Sequence, residues 1–217
     1  MTTKLGLISD VHSSPVPLKQ ALDIFDRENV SNIICAGDIS GYYETLEQTI
    51  DLLIQSNCKS IVGNHDQAYL ESYPQLIDQA ELRFLKGLPQ TLEFEIEEIR
   101  VFVVHAHPPS SQHGGIRLLD QSGEIIQQRK DHWHNELKDF DYDILIVGHT
   151  HQVFAERLGN VFVINPGSTQ FNHSCMILSL PELTVKIFSL GNSVIIKCWN
   201  FSMLAAPPVP EQADQEK

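Results

Sequence analysis

Leu5-Gly6-Leu7-Ile8-Ser9-Asp10-Val11-His12 is a short apolar run that closes on a carboxylate and an imidazole. Four consecutive residues that tolerate burial on both faces, bounded by polar residues, read as a strand inside a parallel sheet. The same punctuation returns along the chain. Residues 33–36 end on Gly37-Asp38, residues 60–62 on Gly63-Asn64, residues 101–104 on His105, and residues 144–147 on Gly148-His149. Between the first three runs lie segments of helical period: Leu18, Ala21, Leu22 and Phe25, then Leu46, Thr49, Ile50, Leu53 and Ile54. Ser13 and Ser14 can cap the first of these helices, with Pro15 at the position where a missing N–H does no harm. Strand, helix, strand, helix, strand implies a parallel sheet with right-handed crossovers.

Further along, a helix is expected over about 75–86. Leu92, Phe94 and Ile96 then alternate with Glu93, Glu95 and Glu97, the pattern of a strand with one wet face. A loop rich in Pro, Ser, Gly and His runs from 106 to about 115, and a helix is expected over about 124–138. The remainder reads as strands at 153–157, 161–164, 174–180, 183–190 and 194–199. A polar, Pro-rich tail, 205–217, is expected to be disordered. Residues 1–204 are expected to form one α/β domain, since 217 residues suffice for a single large core and hardly for two.

A net charge of −13 disfavours nonspecific nucleic-acid binding, which needs a basic face, so nucleic acid is not an expected partner. It still permits a phosphate substrate at a site whose field is inverted by bound divalent cations. The four cysteines form no Cys-x-x-Cys pair and read as reduced, packed thiols. No basic leader and no membrane-length apolar stretch is present, and a cytoplasmic protein is expected.

The chemistry sits where the strands stop. Asp10, Asp38, Asn64, His105 and His149 each end an apolar run, and open α/β sheets bind ligands beyond those carboxyl ends. His12 and His151 follow two residues after a first donor, and in extended chain such pairs point the same way. Taken singly, Asp-x-His is usually accidental, Gly-Asp is a common turn, and Gly-Asn-His-Asp is compatible with a turn as well. Gly-His-Thr-His has no obvious packing role, and five strand ends carrying O and N donors in order point to metal. Mixed donors without thiolate suit Mn, Fe, Zn, Co or Ni.

The ordered set Asp10-Val11-His12, Gly37-Asp38, Gly63-Asn64-His65-Asp66, His105 and Gly148-His149-Thr150-His151, followed by Asn165-Pro166-Gly167-Ser168, resembles the calcineurin-like metallophosphoesterases over roughly residues 4–170. A small prokaryotic subgroup is the nearest likeness. The resemblance implies a four-layer α/β/β/α sandwich with two mixed sheets and a centre of two divalent transition-metal ions, Mn first. It implies that Asp10, His12 and His151 hold one ion, that Asn64, His105 and His149 hold the other, and that Asp38 bridges them. His65 matches the family's catalytic histidine. The implied reaction is hydrolysis of a small phosphodiester or nucleotide by a metal-bound hydroxide, with a phosphomonoesterase or a non-catalytic scaffold as alternatives.

His107 rivals His105 as a ligand, and His113 borders the expected site. His132 and His134 read as surface residues of an outer helix. Two departures from the family stand out: Ser13-Ser14-Pro15 follows the first motif, and no arginine follows Asp38 closely. The second removes the phosphate clamp of the protein-phosphatase branch. Substrate choice and oligomeric state are left open by the sequence.

Overall fold

The computed structural model describes residues 2–76 and 79–200; the tail at 205–217 lies outside them. Strands β1 (Thr3–Ile8), β2 (Asn32–Cys35) and β3 (Lys59–Ser60) run parallel, joined by helices α1 (Pro15–Arg27) and α2 (Leu46–Gln55). From Leu5 onward β1 is buried on both faces, which is why it reads as an unbroken apolar run. Leu5 pairs with Asn32 and Ile8 with Cys35, so β1 and β2 stop level with one another. That register brings the residues after both strands to one rim.

Helix α1 buries Leu18, Ala21, Ile24 and Phe25 against the sheet, with Pro15 in its first turn. A Cβ at Gly6 would fall 2.9 Å from the Phe25 ring, so the glycine sets how closely α1 sits on β1. Helix α2 buries Leu46, Thr49, Ile50 and Leu53. Ile54 leaves this stripe and is 57% exposed.

The second sheet contains β4 (Thr91–Ile96), β5 (Ile99–Val104), β6 (Ile144–Ile146), β7 (Val153–Leu158) and β8 (Val161–Pro166). Its order is β4-β5-β6-β8-β7, with β5, β6 and β8 parallel and β4 and β7 antiparallel edges. Leu92, Phe94 and Ile96 of β4 face the core and its glutamates face out, as the alternation requires. Strands β9 (Ser174–Leu180) and β10 (Thr184–Ser189) return to the first sheet, whose order is β10-β9-β1-β2-β3. Both sheets are therefore mixed.

Leu5, Leu7, Ile34, Met176 and Leu178 of the first sheet pack against Val101, Val103, Ile144, Ile146 and Ile164 of the second. Helices α1 and α2, with α3 (Asn64–Ser72) and α4 (Ala80–Lys86), lie along the outer side of the first sheet. Leu137, half-buried Trp133 of α5 (Gln127–Glu136), and the loop residues Ile116, Leu118 and Leu119 cover the second. The result is the expected four-layer α/β/β/α sandwich.

Several expected elements differ. The run at 75–86 divides into a 3-10 turn, Pro74–Leu76, and α4. Residues 64–72, to which the sequence pattern assigns no helix, form α3; the Asp66 carboxylate accepts the Gly63 N–H at 2.8 Å and caps it. The strand at 194–199 does not form; this segment contributes one bridge, Gln152 with Cys198. Its backbone is engaged elsewhere, with Ile196 N–H donating to Asn172 O and Trp199 N–H to His151 O, both at 3.1 Å. Among the described residues no helix is long and apolar enough to cross a membrane.

Candidate metal centre

Asp10, His12, Asp38, His149 and His151 all have left-handed backbone, with φ of 51°, 50°, 55°, 64° and 48°. The paired donors Asp10/His12 and His149/His151 are thus not delivered by extended chain, as the spacing alone suggests. Left-handed conformations are costly for these residue types and persist only where surroundings over-determine them. Here Asp10 N–H donates to Gly37 O and His12 N–H to Asp38 O, each at 2.9 Å, and Ser13 N–H donates to Ile39 O at 2.7 Å. The loops after β1 and β2 therefore hold each other in place. His149 N–H donates to the Asp10 carboxylate at 3.1 Å, which ties in the loop after β6.

Two glycines make this closeness possible. A Cβ on Gly63 would lie 2.1 Å from Asp38 Oδ1, and one on Gly148 would lie 2.0 Å from Ser9 Oγ. Their place beside donors in Gly-Asn-His and Gly-His-Thr-His is a packing requirement of the site.

The donor atoms converge in three overlapping groups: Asp10, His12 and His151; His12, Asp38 and His65; Asp38, His105 and His149. His12 Nε2 and His151 Nε2 are 3.2 Å apart, and His151 Nε2 lies 3.3 Å from Asp10 Oδ1. His105 Nε2 lies 3.3 Å from Asp38 Oδ2 and 3.0 Å from Asn64 Oδ1, which is itself 2.8 Å from His149 Nδ1. Adjacent ligands held at about 2.0–2.2 Å from one cation stand roughly 3 Å from each other. The spacing and the chemistry of these donors fit a pair of divalent ions.

His105 Nδ1–H donates to Ala36 O at 2.7 Å, which aims Nε2 inward. His107 instead bonds the Pro108 carbonyl through Nδ1 at 2.8 Å and lies beside Trp133, away from the three groups. His113 is exposed, its ring 6.2 Å from that of His149. His132 and His134 lie on α5.

Asp10 and Asp38 are fully buried, and their ion pairs are with histidines. Burial opposes the charge on Asp10, yet His151, with His105 and His12, holds its carboxyl well below the ordinary range. Burial likewise opposes Asp38, and His105 draws it down. Burial pushes His12 and His149 down to about 4, so both imidazoles are neutral at pH 7 with lone pairs available. At His105 burial acts downward, but the neighbouring Asp38 carboxylate prevails and raises it to about 9. A cation at Nε2 would take that proton's place.

Around the donors lies a supporting shell whose bonds the sequence does not reveal. The carboxylate of buried Asp66 accepts the N–H groups of Ser40 at 2.7 Å and Gly63 at 2.8 Å, fixing the loops on either side of Asp38. Asn165 Nδ2 donates to Gly148 O at 2.9 Å, and Ser168 Oγ donates to Asp10 O at 2.5 Å. Asn172 donates to His151 O at 2.9 Å and accepts the Ser168 N–H at 2.7 Å. Asn165-Pro166-Gly167-Ser168 was legible as a motif, whereas Asn172 carried no signal. Arg117 was also missed. With Asp38, Asn64, His65, His149 and His151 it lines a cavity of about 170 Å³ over the donor groups.

Residues 3–180 match the model of the calcineurin-like phosphoesterase superfamily domain, and the chain belongs to that family. It is accordingly a metal-dependent hydrolase of phosphoric esters. A phosphodiesterase of Methanocaldococcus jannaschii, MJ0936, is 27% identical over 164 residues, spanning 76% of this chain and 82% of its own. The phosphodiesterase YfcE of Escherichia coli K12 is 24% identical over 180 residues, spanning 76% of this chain and 78% of its own. The crystal structure of a hypothetical protein from Pyrococcus horikoshii, PH1004, shares the fold, with a TM-score of 0.70 at 17% identity over 88% of this chain and 89% of that one.

Proposed function

We propose that the chain hydrolyses a small phosphodiester or nucleotide at a centre of two divalent metal ions. One observation carries this reading: two buried carboxylates, Asp10 and Asp38, face four imidazoles and the Asn64 amide at donor spacing. Buried charges of this kind are paired or coordinate metal. Asp10, His12 and His151 would hold one ion, and Asn64, His105 and His149 the other, with Asp38 shared between them. Mn is the first expectation, with Fe, Zn, Co and Ni as alternatives. When bound, such a pair activates water and neutralises charge on the phosphoryl oxygens.

The chain's own groups supply the rest. His65 lines the cavity over the donors, where its imidazole can give a proton to the leaving oxygen. Tyr42 Oη lies 3.3 Å from His65 Nε2 and helps to orient the ring. Arg117, on the rim, meets a phosphate oxygen. Residues 1–204 act in this reading as one domain. Four free cysteines are in keeping with a reducing cytoplasm.

The test is elemental analysis of the purified chain together with hydrolysis of bis(p-nitrophenyl) phosphate in the presence of Mn. Close to two metal ions per chain and metal-dependent turnover are expected. A chain that takes up no metal and leaves every tested ester intact would refute the reading.

A further inference from the structure

A second and larger cavity, of about 630 Å³, meets the first at His65, which lines both. It runs away from the donor groups between the segment at 41–47 and α3. Four tyrosines wall it: Tyr42 and Tyr43 on the segment, Tyr69 on α3, and Tyr73 four residues on, at the position that ends the helix. The Tyr69 and Tyr73 rings are 4.8 Å apart, and the Tyr42 ring is 5.1 Å from that of His65. Tyr42, Tyr43 and Tyr73 are 44%, 46% and 41% exposed. Tyr43 is not loose, since Gln170 Nε2 donates to its hydroxyl at 3.0 Å. Partly exposed tyrosine rings lining a concavity beside the candidate centre form a platform on which a flat ring can stack.

Charge narrows the occupant. Glu44, Glu47 and Glu81 line the cavity, and apart from His65 no basic side chain does among the described residues. A second phosphate is repelled there, while carboxylates can accept the exocyclic N–H groups of a base. The occupant is therefore flat, aromatic, uncharged or weakly basic, and rich in donors. Resting on the phosphoesterase reading above, we propose that this groove binds the nucleobase of the leaving group, so that the substrate is a nucleoside phosphodiester. Water adds to phosphorus, the bond from phosphorus to the nucleoside oxygen breaks, and that oxygen takes its proton from His65 at the junction of the two cavities.

Two measurements on the full metal-loaded chain test this. The first is calorimetric titration with adenosine, and with ribose as the control. Adenosine is expected to bind and ribose not, and Tyr69→Ala and Tyr73→Ala should each weaken adenosine by about tenfold, the scale of one lost stacking face. The second compares adenosine 2′,3′-cyclic phosphate with glycerol 1,2-cyclic phosphate, two five-membered cyclic diesters of which one carries a base. The ratio of their kcat/KM values should favour the nucleotide and fall about tenfold in Tyr73→Ala. If the chain hydrolyses bis(p-nitrophenyl) phosphate but binds no adenosine, or if the ratio does not move, the groove assignment is overturned and the phosphoesterase reading stands. A metal-loaded chain that binds adenosine through Tyr69 and Tyr73 yet cleaves no ester overturns the phosphoesterase reading instead.

Discussion

The two sheets contribute different chemistry to the candidate centre. The segments after β1, β2 and β3 supply its oxygen donors, Asp10, Asp38 and Asn64, with the imidazoles of His12 and His65. The loops after β5 and β6 supply imidazoles alone: His105, His149 and His151. The first set is tied by backbone bonds from loop to loop, as in Asp10 N–H to Gly37 O, and braced by the Asp66 carboxylate. The second has the backbone bond Gly148 N–H to His105 O and leans on side chains as well, Asn165 under Gly148 and Asn172 under His151. Two of the three donor groups span both sheets, since Asp10 meets His151 and Asp38 meets His105 across the seam, while His12, Asp38 and His65 all come from the first. The centre is therefore a product of sheet packing, and the residues at the seam should be the most sensitive.

The sharpest break is Asp38→Ala. Asp38 lies in two of the three donor groups and also accepts the His65 N–H at 2.8 Å. Loss of a partner that merely supports a ligand costs about 10–100-fold, and this change should exceed about 100-fold in activity. Elemental analysis should show fewer than two ions per chain. Full metal content with full turnover would remove Asp38 from the centre.

Gly148→Ala attacks the seam without removing a donor. The added Cβ would meet Ser9 Oγ at 2.0 Å and Asp10 Oδ2 at 2.8 Å, pressing the second sheet's loop into the first. Overpacking of this kind costs about 1–3 kcal/mol. Thermal unfolding should show it, and metal affinity should fall with it. Adding Ser9→Ala to the variant should recover part of both losses. A Gly148→Ala chain of unchanged stability would mean that the two loops are free to separate.

Much of this was legible in the sequence for a simple reason. A strand buried on both faces must be apolar, so residues 5–8, 101–104 and 144–147 announced themselves, and a polar donor at the end of each stood out. Three things were not legible. The left-handed backbone at Asp10 and His149 depends on loop-to-loop bonds that only the folded register creates. Helix α3 carries almost no apolar stripe; Asp66 is its one fully buried residue, and it caps the helix and braces the Asp38 loop. The segment at 194–199 is an apolar, β-branched run like a strand, but Asn172 bonds its backbone at Ile196. Pairing partners, unlike burial, leave no local mark.

Asn172→Ala tests the side-chain scaffold of the second sheet. Its amide supports the His151 carbonyl and receives the Ser168 N–H, while Ser168 Oγ reaches Asp10 O. Metal affinity should fall about 10–100-fold while some metal-saturated turnover survives, because no donor is removed. A metal titration of the activity separates these effects. An unchanged titration would show that backbone bonds position both halves equally.

Arg117→Ala should have the smallest effect, and it probes the one guanidinium that lines the small cavity among the described residues. The residue is exposed and comes from the loop between β5 and α5, so in the proposed reading the imidazole-bearing side would also supply the cation that meets a phosphate oxygen. Exposed ionic contacts contribute about 0.2–1 kcal/mol and weaken with salt. KM should therefore rise up to about fivefold with kcat little changed, and the gap from the wild-type chain should narrow as ionic strength is raised. A loss confined to kcat would have a different meaning. It would place Arg117 on charge that develops only as the ester bond breaks, and would make the second sheet the source of transition-state stabilisation as well as of imidazoles.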